Sequence, residues 1–106
     1  MYQNTIVIGR LGADPVMKYT PDGKSVTTFS VAVSRQERTT WFRVSAWGKL
    51  AETCQAHLAK GRLIMVSGPV SVSAWKDQDG NPKATLELTA DTIRFLDKAG
   101  QDEPTF

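Results

Sequence analysis

Two tryptophans and an arginine alternate in one short stretch of the chain, Trp41-Phe-Arg-Val-Ser-Ala-Trp47. Successive side chains of a β-strand point to opposite faces, so Trp41, Arg43 and Trp47 would share one face. Lys49 would join them if the strand continues that far. Indole rings can stack on nucleobases and a guanidinium can pair with a phosphate, so this face has the chemistry to bind an unpaired nucleic-acid strand.

The opposite face of this stretch carries Phe42, Val44 and Ala46, which suit a hydrophobic core. Tryptophan is usually buried, so Trp41 and Trp47 would also be compatible with packing in the core or in a subunit contact. The interleaved Arg43 argues against that alternative, because a core face would not alternate with charges. We therefore expect both indoles to face solvent.

The third tryptophan, Trp75, ends the segment Val70-Ser-Val-Ser-Ala-Trp75 and precedes a polar loop, Asp77 to Pro82. It would point away from the apolar side chains of its own segment. This position fits a stacking platform beside a loop, and it fits equally well a tryptophan that caps the end of a barrel.

Further basic residues are candidates for phosphate contacts, although each is also compatible with an ordinary solvated surface. Arg35 and Arg38 flank a short polar turn between two predicted strands. The other candidates are Arg10, Lys18, Arg62 and Lys76. The formal net charge is only +2, but residues 1–62 hold nine Lys or Arg against four Asp or Glu, while residues 63–106 hold four against seven. A basic first half fits a polyanionic partner.

The elements that would position these residues are short strands separated by turn signals. Strand patterns cover residues 5–9, 16–19, 25–35, 39–47, 63–67, 70–76 and 83–91. Apolar residues at helical spacing predict one helix over Lys49 to Lys60, with Gly61 as its C-cap. This order fits an all-β OB-fold, a five-stranded Greek-key barrel with one short helix, although other small β-rich domains share it.

Composition limits the class of protein. The chain has 106 residues, which suffices for one domain, and 41% of them are hydrophobic, as in a globular protein. Its one cysteine, Cys54, excludes an internal disulfide and favours a reducing compartment. Met1 to Arg10 does not fit a signal peptide, and no stretch approaches the ~20 apolar residues that span a membrane. We therefore expect a cytoplasmic protein with no membrane contact.

Catalytic and metal-binding functions find little support in the sequence. Cys54 and His57 fall on the apolar stripe of the predicted helix, so we expect both to be packed rather than catalytic. Asp77 and Asp79 lack the remaining ligands of an EF-hand calcium loop. We predict that the protein is not an enzyme and that it holds no metal and no cofactor.

A set of short motifs occurs in a fixed order along residues 3–96. They are Asn4 to Pro15 (NTIVIGRLGADP), Tyr19 to Gly23 (YTPDG), Phe29 to Ala32 (FSVA), Trp41 to Val44 (WFRV), Trp47 to Glu52 (WGKLAE), Lys60-Gly61 and Trp75 to Gly80 (WKDQDG). Together they resemble the bacterial single-stranded DNA-binding protein family.

The resemblance implies an OB-fold that assembles as a homotetramer and wraps single-stranded DNA without regard to sequence. It implies protection of single strands during replication, recombination and repair, and a nucleoid-associated location. Residues 1–96 would be the DNA-binding and oligomerisation domain. In that family, aromatic residues matching Trp41, Trp47 and Trp75 stack on bases, and basic residues matching Arg43 and others contact the backbone.

The chain departs from the family pattern in places. Relatives often carry another aromatic residue where this chain has Arg35-Gln-Glu37, and the turn before Trp41 is short. Residues 97–106 form a short polar tail in place of a long one. Its last residues resemble the family's acidic tip, which docks replication and repair proteins, and they also fit an ordinary polar terminus: Asp102, Glu103, Pro104, Thr105 and Phe106.

Three other functions remain open at this stage. One is a dimeric primosome-type OB accessory protein that acts mainly through protein partners. Another is a saccharide-binding OB module, although its basic residues would then lack an anionic partner. The third is an OB-fold nuclease, which lacks support because no convergent acid–metal cluster is visible.

Overall fold

The computed structural model describes residues 1–96, which form eight β-strands and one α-helix. The helix, α1, spans Lys49–His57 between the fourth and fifth strands. The strands are β1 (Thr5–Leu11), β2 (Val16–Tyr19), β3 (Ser25–Arg35), β4 (Arg38–Trp47), β5 (Leu63–Gly68), β6 (Val70–Lys76), β7 (Pro82–Thr89) and β8 (Thr92–Phe95). The predicted class, mostly β with one short helix, is confirmed over these residues.

All the strands belong to one sheet, in the order β6-β7-β4-β3-β1-β5-β8, with β2 paired to β3. The pairings are antiparallel except that between β4 and β7. β1 pairs with β5 along most of its length but with β3 only at Arg10 and Leu11, so the sheet bends sharply at β1. This arrangement fits the OB-fold. Within residues 1–96, however, the path of strands ends at β6 and β8 instead of closing, and it has eight strands rather than five.

The core lies on the concave side of this bent sheet, where alternate residues of the strands are buried. Val44 and Ala46 of β4 are fully buried, and Phe42 is partly buried against the core, as the alternation predicts. Other large buried side chains include Phe29, Val31, Ile64, Val66 and Leu88. Full burial of such a side chain contributes ~1.5–3 kcal/mol to the free energy of unfolding. A shift of β4 by one residue would move its buried side chains into solvent, so their burial determines which residues of β4 face outward.

The helix α1 covers one end of the sheet and is three residues shorter than the sequence predicts. Leu58 leaves the helix with extended dihedral angles (φ −93°, ψ 151°) and buries its side chain in the core. Thr27 binds the helix to β3 through a hydrogen bond from its hydroxyl to the Ala51 carbonyl, 2.7 Å. Within residues 1–96, no helix is long and apolar enough to cross a bilayer.

The two residues of α1 that could carry reactive groups differ in their surroundings. Cys54 is buried, as expected, and burial raises its pKa to about 11, so the thiol is protonated at neutral pH. His57 is exposed, contrary to the prediction, because it is the last residue of the helix. Its ring contacts Phe95, with ring centroids 5.9 Å apart.

Candidate nucleic-acid interface

The outward face of β4 presents the tryptophans to solvent. Trp41 and Trp47 are 52% and 44% exposed, and Arg43 between them is also exposed. The predicted outward orientation is therefore confirmed, and packing of these indoles in the core of the chain is excluded. The strand rise places Trp41 and Trp47 roughly 20 Å apart. We call this outer surface, with the adjoining outward residues of β3 and β7, the tryptophan face.

β3 borders β4 on one side of the tryptophan face and carries smaller side chains there. In the β3–β4 register Ala32 lies opposite Trp41, Ser30 opposite Arg43 and Val26 opposite Trp47. These residues do not rise above the indoles, so the rings remain accessible from above. A cavity of about 190 Å³ next to Arg43 is lined by Asp14, Thr28 and Ser30, among others.

Trp41 rests on the backbone of Gly12, in the connection between β1 and β2. A Cβ atom at Gly12 would lie 2.5 Å from Cζ3 and 2.7 Å from Cη2 of the indole, which is too close for any side chain. The Gly12 amide donates a 3.0 Å hydrogen bond to the Ser30 carbonyl, which holds the glycine against the sheet. The edge of the indole formed by Cζ3 and Cη2 thus abuts Gly12 while the ring remains half-exposed.

Trp75 belongs to the same outer surface, although it lies on the β6–β7 hairpin. In the strand register, Arg43 of β4 pairs with Glu87 of β7, and Glu87 pairs with Ser71 of β6. Trp75 lies four residues after Ser71 in β6, so its side chain points to the same face. Trp75 is 48% exposed, and its indole Nε1 donates a 2.9 Å hydrogen bond to the Thr85 hydroxyl. Trp75 is therefore exposed on the outer surface and does not cap the core, and its role in stacking stays a prediction.

The loop between β6 and β7 is held by hydrogen bonds to the carboxylate of Asp77. Asp77 accepts hydrogen bonds from the backbone amides of Asp79 and Asn81, each 2.9 Å. Within residues 1–96, no three His, Cys, Asp or Glu side chains are grouped as metal ligands. The Asp77 carboxylate, through these two hydrogen bonds, stabilises the hairpin that carries Trp75.

Some of the predicted basic residues join the tryptophan face. Lys18 of β2 is opposite Val26, which is in turn opposite Trp47, so the three form one outward row. Arg35 and Arg38, which pair across the two-residue turn between β3 and β4, do not join this face: each is three residues from an outward residue of its strand, so both point to the opposite side of the hairpin. That turn contains Gln36 at φ 58°, a left-handed conformation that a residue with a Cβ atom seldom adopts.

The remaining predicted basic residues lie elsewhere or are engaged in structural contacts. Lys49 is the first residue of α1 and does not continue the face of β4, because the strand ends at Trp47. Lys76 follows Trp75 directly in β6 and so points to the opposite side of the hairpin. Arg10 points outward next to Ala32, but it donates a 2.9 Å hydrogen bond to the Gly61 carbonyl.

Arg62 has a structural role in this fold. Its guanidinium donates a 3.0 Å hydrogen bond to the His57 carbonyl at the end of α1 and lies 5.4 Å from the ring centroid of Phe95. These contacts connect the helix terminus to β8. The phosphate contact expected of Arg62 from the sequence stays a prediction, since these contacts show only how the arginine is held within the chain.

Several residues of the face were not singled out by the sequence patterns. Gly12 and Thr85 support two of the indoles, and Glu87 places a carboxylate beside Arg43. The alternation Leu86-Glu87-Leu88 indicates that Glu87 points outward, but only the parallel β4–β7 pairing shows that its neighbour is Arg43. The predicted docking tip, Asp102 to Phe106, lies outside the described residues.

Comparison with known proteins gives a consistent result. A family model described as "Single-strand binding protein family" matches residues 2–96. The chain is 45% identical over 104 residues to a "Single-stranded DNA-binding protein" of Caldanaerobacter subterraneus subsp. tengcongensis, covering 92% of this chain and 69% of that protein. It is 37% identical over 106 residues to one of the same name from Thermotoga maritima, covering 92% and 75%.

Proposed function

The chain belongs to the single-strand binding protein family, and on that premise we propose that it binds single-stranded DNA without regard to base sequence. Bases stack on Trp41, Trp47 and Trp75, while Arg43 and Lys18 neutralise phosphates between them. The observation that carries the proposal is the alternation of exposed indoles and cations on one face. The family match confirms the resemblance drawn from the motifs. It also confirms the expectation of a non-enzymatic protein, since members of this family bind DNA without catalysis.

The energetics of such a face favour indiscriminate binding. Stacking on one aromatic ring contributes ~1–3 kcal/mol per base, and every base has a ring to stack. Phosphate contacts add an electrostatic term that weakens with salt, with a slope of ~0.7 per phosphate for single strands. Arg10 would flank Trp41 on this face, whereas Arg35 and Arg38 would contact the phosphates of a strand that passes around the tip of the β3–β4 hairpin.

We further propose that residues 1–96 are the DNA-binding and oligomerisation unit and that the assembled form is a homotetramer. The outer side of β1 supports self-association, because Ile6 and Ile8 are 64% and 52% exposed there. Met65 of β5 lies opposite Ile8 and enlarges this apolar patch. Patches of this kind on a small domain are commonly buried against another chain.

In the cell we expect the protein to cover single strands in the cytoplasm, on the nucleoid, during replication, recombination and repair. Docking of replication and repair proteins on the tip Asp102 to Phe106 is part of the same proposal. Removing residues 102–106 should then abolish partner binding and leave DNA binding intact.

The test is a titration with oligo-dT, following tryptophan emission and light scattering together. We expect strong quenching that weakens as salt is raised, and a native mass of four chains. Unchanged emission at low salt would refute DNA binding by this face. A mass of two chains would instead favour a dimeric accessory protein, and salt-insensitive binding of glycans would favour a saccharide module.

A further inference from the structure

An open cavity of about 390 Å³ lies beside Trp47, and the sequence patterns did not indicate it. Its walls are the indole of Trp47 and the turn between β2 and β3, which contributes Thr20, Asp22 and Lys24. The indole thus contributes aromatic surface to the lining, and Lys24 contributes an ammonium group. A nucleobase with its phosphate offers the complementary pair of groups, a π-face and a negative charge.

The turn that forms the rim is held by its own hydrogen bonds. The Thr20 amide donates to the Lys24 carbonyl and the Gly23 amide donates to the Thr20 carbonyl, each at 2.8 Å. The Lys24 amide donates to the Thr20 hydroxyl at 3.1 Å, and that hydroxyl donates to the Asp22 carboxylate. Gly23 has φ 87°, a conformation that glycine adopts without strain. The backbone of the rim is therefore held without a ligand, which lowers the ordering cost on binding.

Lys24 is placed to meet an anion at this cavity. Its Nζ lies 3.9 Å from an Asp22 oxygen, and both side chains are largely exposed, 71% and 65%. Such an exposed ion pair is weak, so a phosphate can replace Asp22 as the partner of the ammonium. Asp22 would repel a phosphate on its own side and so confine it to the side of Lys24.

We propose that the β2–β3 turn and Trp47 form a subsite for one nucleotide of a DNA strand, with the base stacked on the indole and the phosphate on Lys24. The inference rests on the proposed function and adds a specific phosphate contact to it. Lys18 belongs to the outward row of Trp47 and adds positive charge next to the subsite.

The experiment uses the full chain with Trp41→Phe and Trp75→Phe, so that emission comes from Trp47 alone and the phenylalanines can still stack. Oligo-dT is titrated at several salt concentrations into this protein and into the same protein with Lys24→Gln. The matched control is Lys60→Gln, which removes one exposed positive charge from the loop after α1. Thermal unfolding of each variant verifies that the fold is intact.

The subsite requires that oligo-dT quench Trp47 and that Lys24→Gln lower the salt slope by ~0.7, with a loss of affinity of up to about tenfold near 50 mM salt. Lys60→Gln should leave the slope as it is. An unchanged slope with Lys24→Gln, or an unquenched Trp47 in a protein that still binds DNA, would overturn the subsite and leave sequence-independent DNA binding standing. Loss of quenching in the unmodified chain would instead reject the function itself.

Discussion

Substitution of Gly12 by alanine should weaken DNA binding without removing any group that touches DNA. The added Cβ would lie 2.5 Å from Cζ3 and 2.7 Å from Cη2 of Trp41, whereas real Cβ contacts are essentially never below 3.0 Å. Both contacts are with the ring itself, so the indole has to turn away from the sheet. Since Trp41 is already 52% exposed, it can move into solvent without unpacking the core.

The size of the effect follows from the platform that is lost. One base–indole stack is worth ~1–3 kcal/mol, so affinity for oligo-dT should fall about 5- to 150-fold at constant salt. The salt slope should not change, because the substitution alters no charge. The free energy of unfolding should fall by about 1 kcal/mol or less, since the ring leaves a surface position.

A double-mutant cycle with Trp41→Ala distinguishes this mechanism from general damage. If Gly12 acts through the indole, Gly12→Ala will have almost no further effect on affinity in a chain that already lacks Trp41. Fluorescence titration gives the affinities, and thermal unfolding gives the stabilities. The reasoning is refuted if the alanine leaves affinity unchanged, or if it weakens binding as much without Trp41 as with it.

Three further predictions concern other residues. Thr85→Val removes the hydrogen bond to the Trp75 indole, so in a chain retaining only that tryptophan the emission should depolarise faster and affinity for oligo-dT should fall ~2- to 10-fold. Thr85→Ser should restore both. Gln36→Gly should raise the free energy of unfolding by about 0.5–1 kcal/mol, measured in denaturant, because the left-handed conformation costs a residue with a Cβ atom ~1–2 kcal/mol. Stability should fall as pH rises from about 9 to about 11, because the unfolded Cys54 thiol loses its proton near pH 9 whereas burial raises its folded pKa to about 11.

Each of these has a result that contradicts it. Equal depolarisation in the valine and serine variants would show that the hydroxyl does not orient the indole. A Gln36→Gly protein no more stable than the parent would remove the argument for strain in the turn. The alkaline loss of stability, worth about 2–3 kcal/mol, should disappear in Cys54→Ala, and its persistence there would assign it to other groups.

The sequence by itself was sufficient for the class of fold and for the orientation of β4. Strand alternation is local, so the exposed Trp41, Arg43 and Trp47 could be separated from the buried Val44 and Ala46 by counting residues. β3 and β6 have the bounds that the patterns predict, because turn residues flank them on both sides. The four-residue β8 was missed, because so short a strand shows little alternation and is held by pairing with β5.

Only the tertiary structure could decide which distant groups meet. The parallel pairing of β4 with β7 brings Glu87 beside Arg43 and places Trp75 on the same face as Trp41, although these residues are far apart in the chain. The contacts of Arg62 with the end of α1 and with Phe95 likewise join residues that no local pattern connects. Alternation and turn signals follow from the geometry of a few consecutive residues, whereas strand pairing depends on how the whole core closes, and no local pattern contains that information.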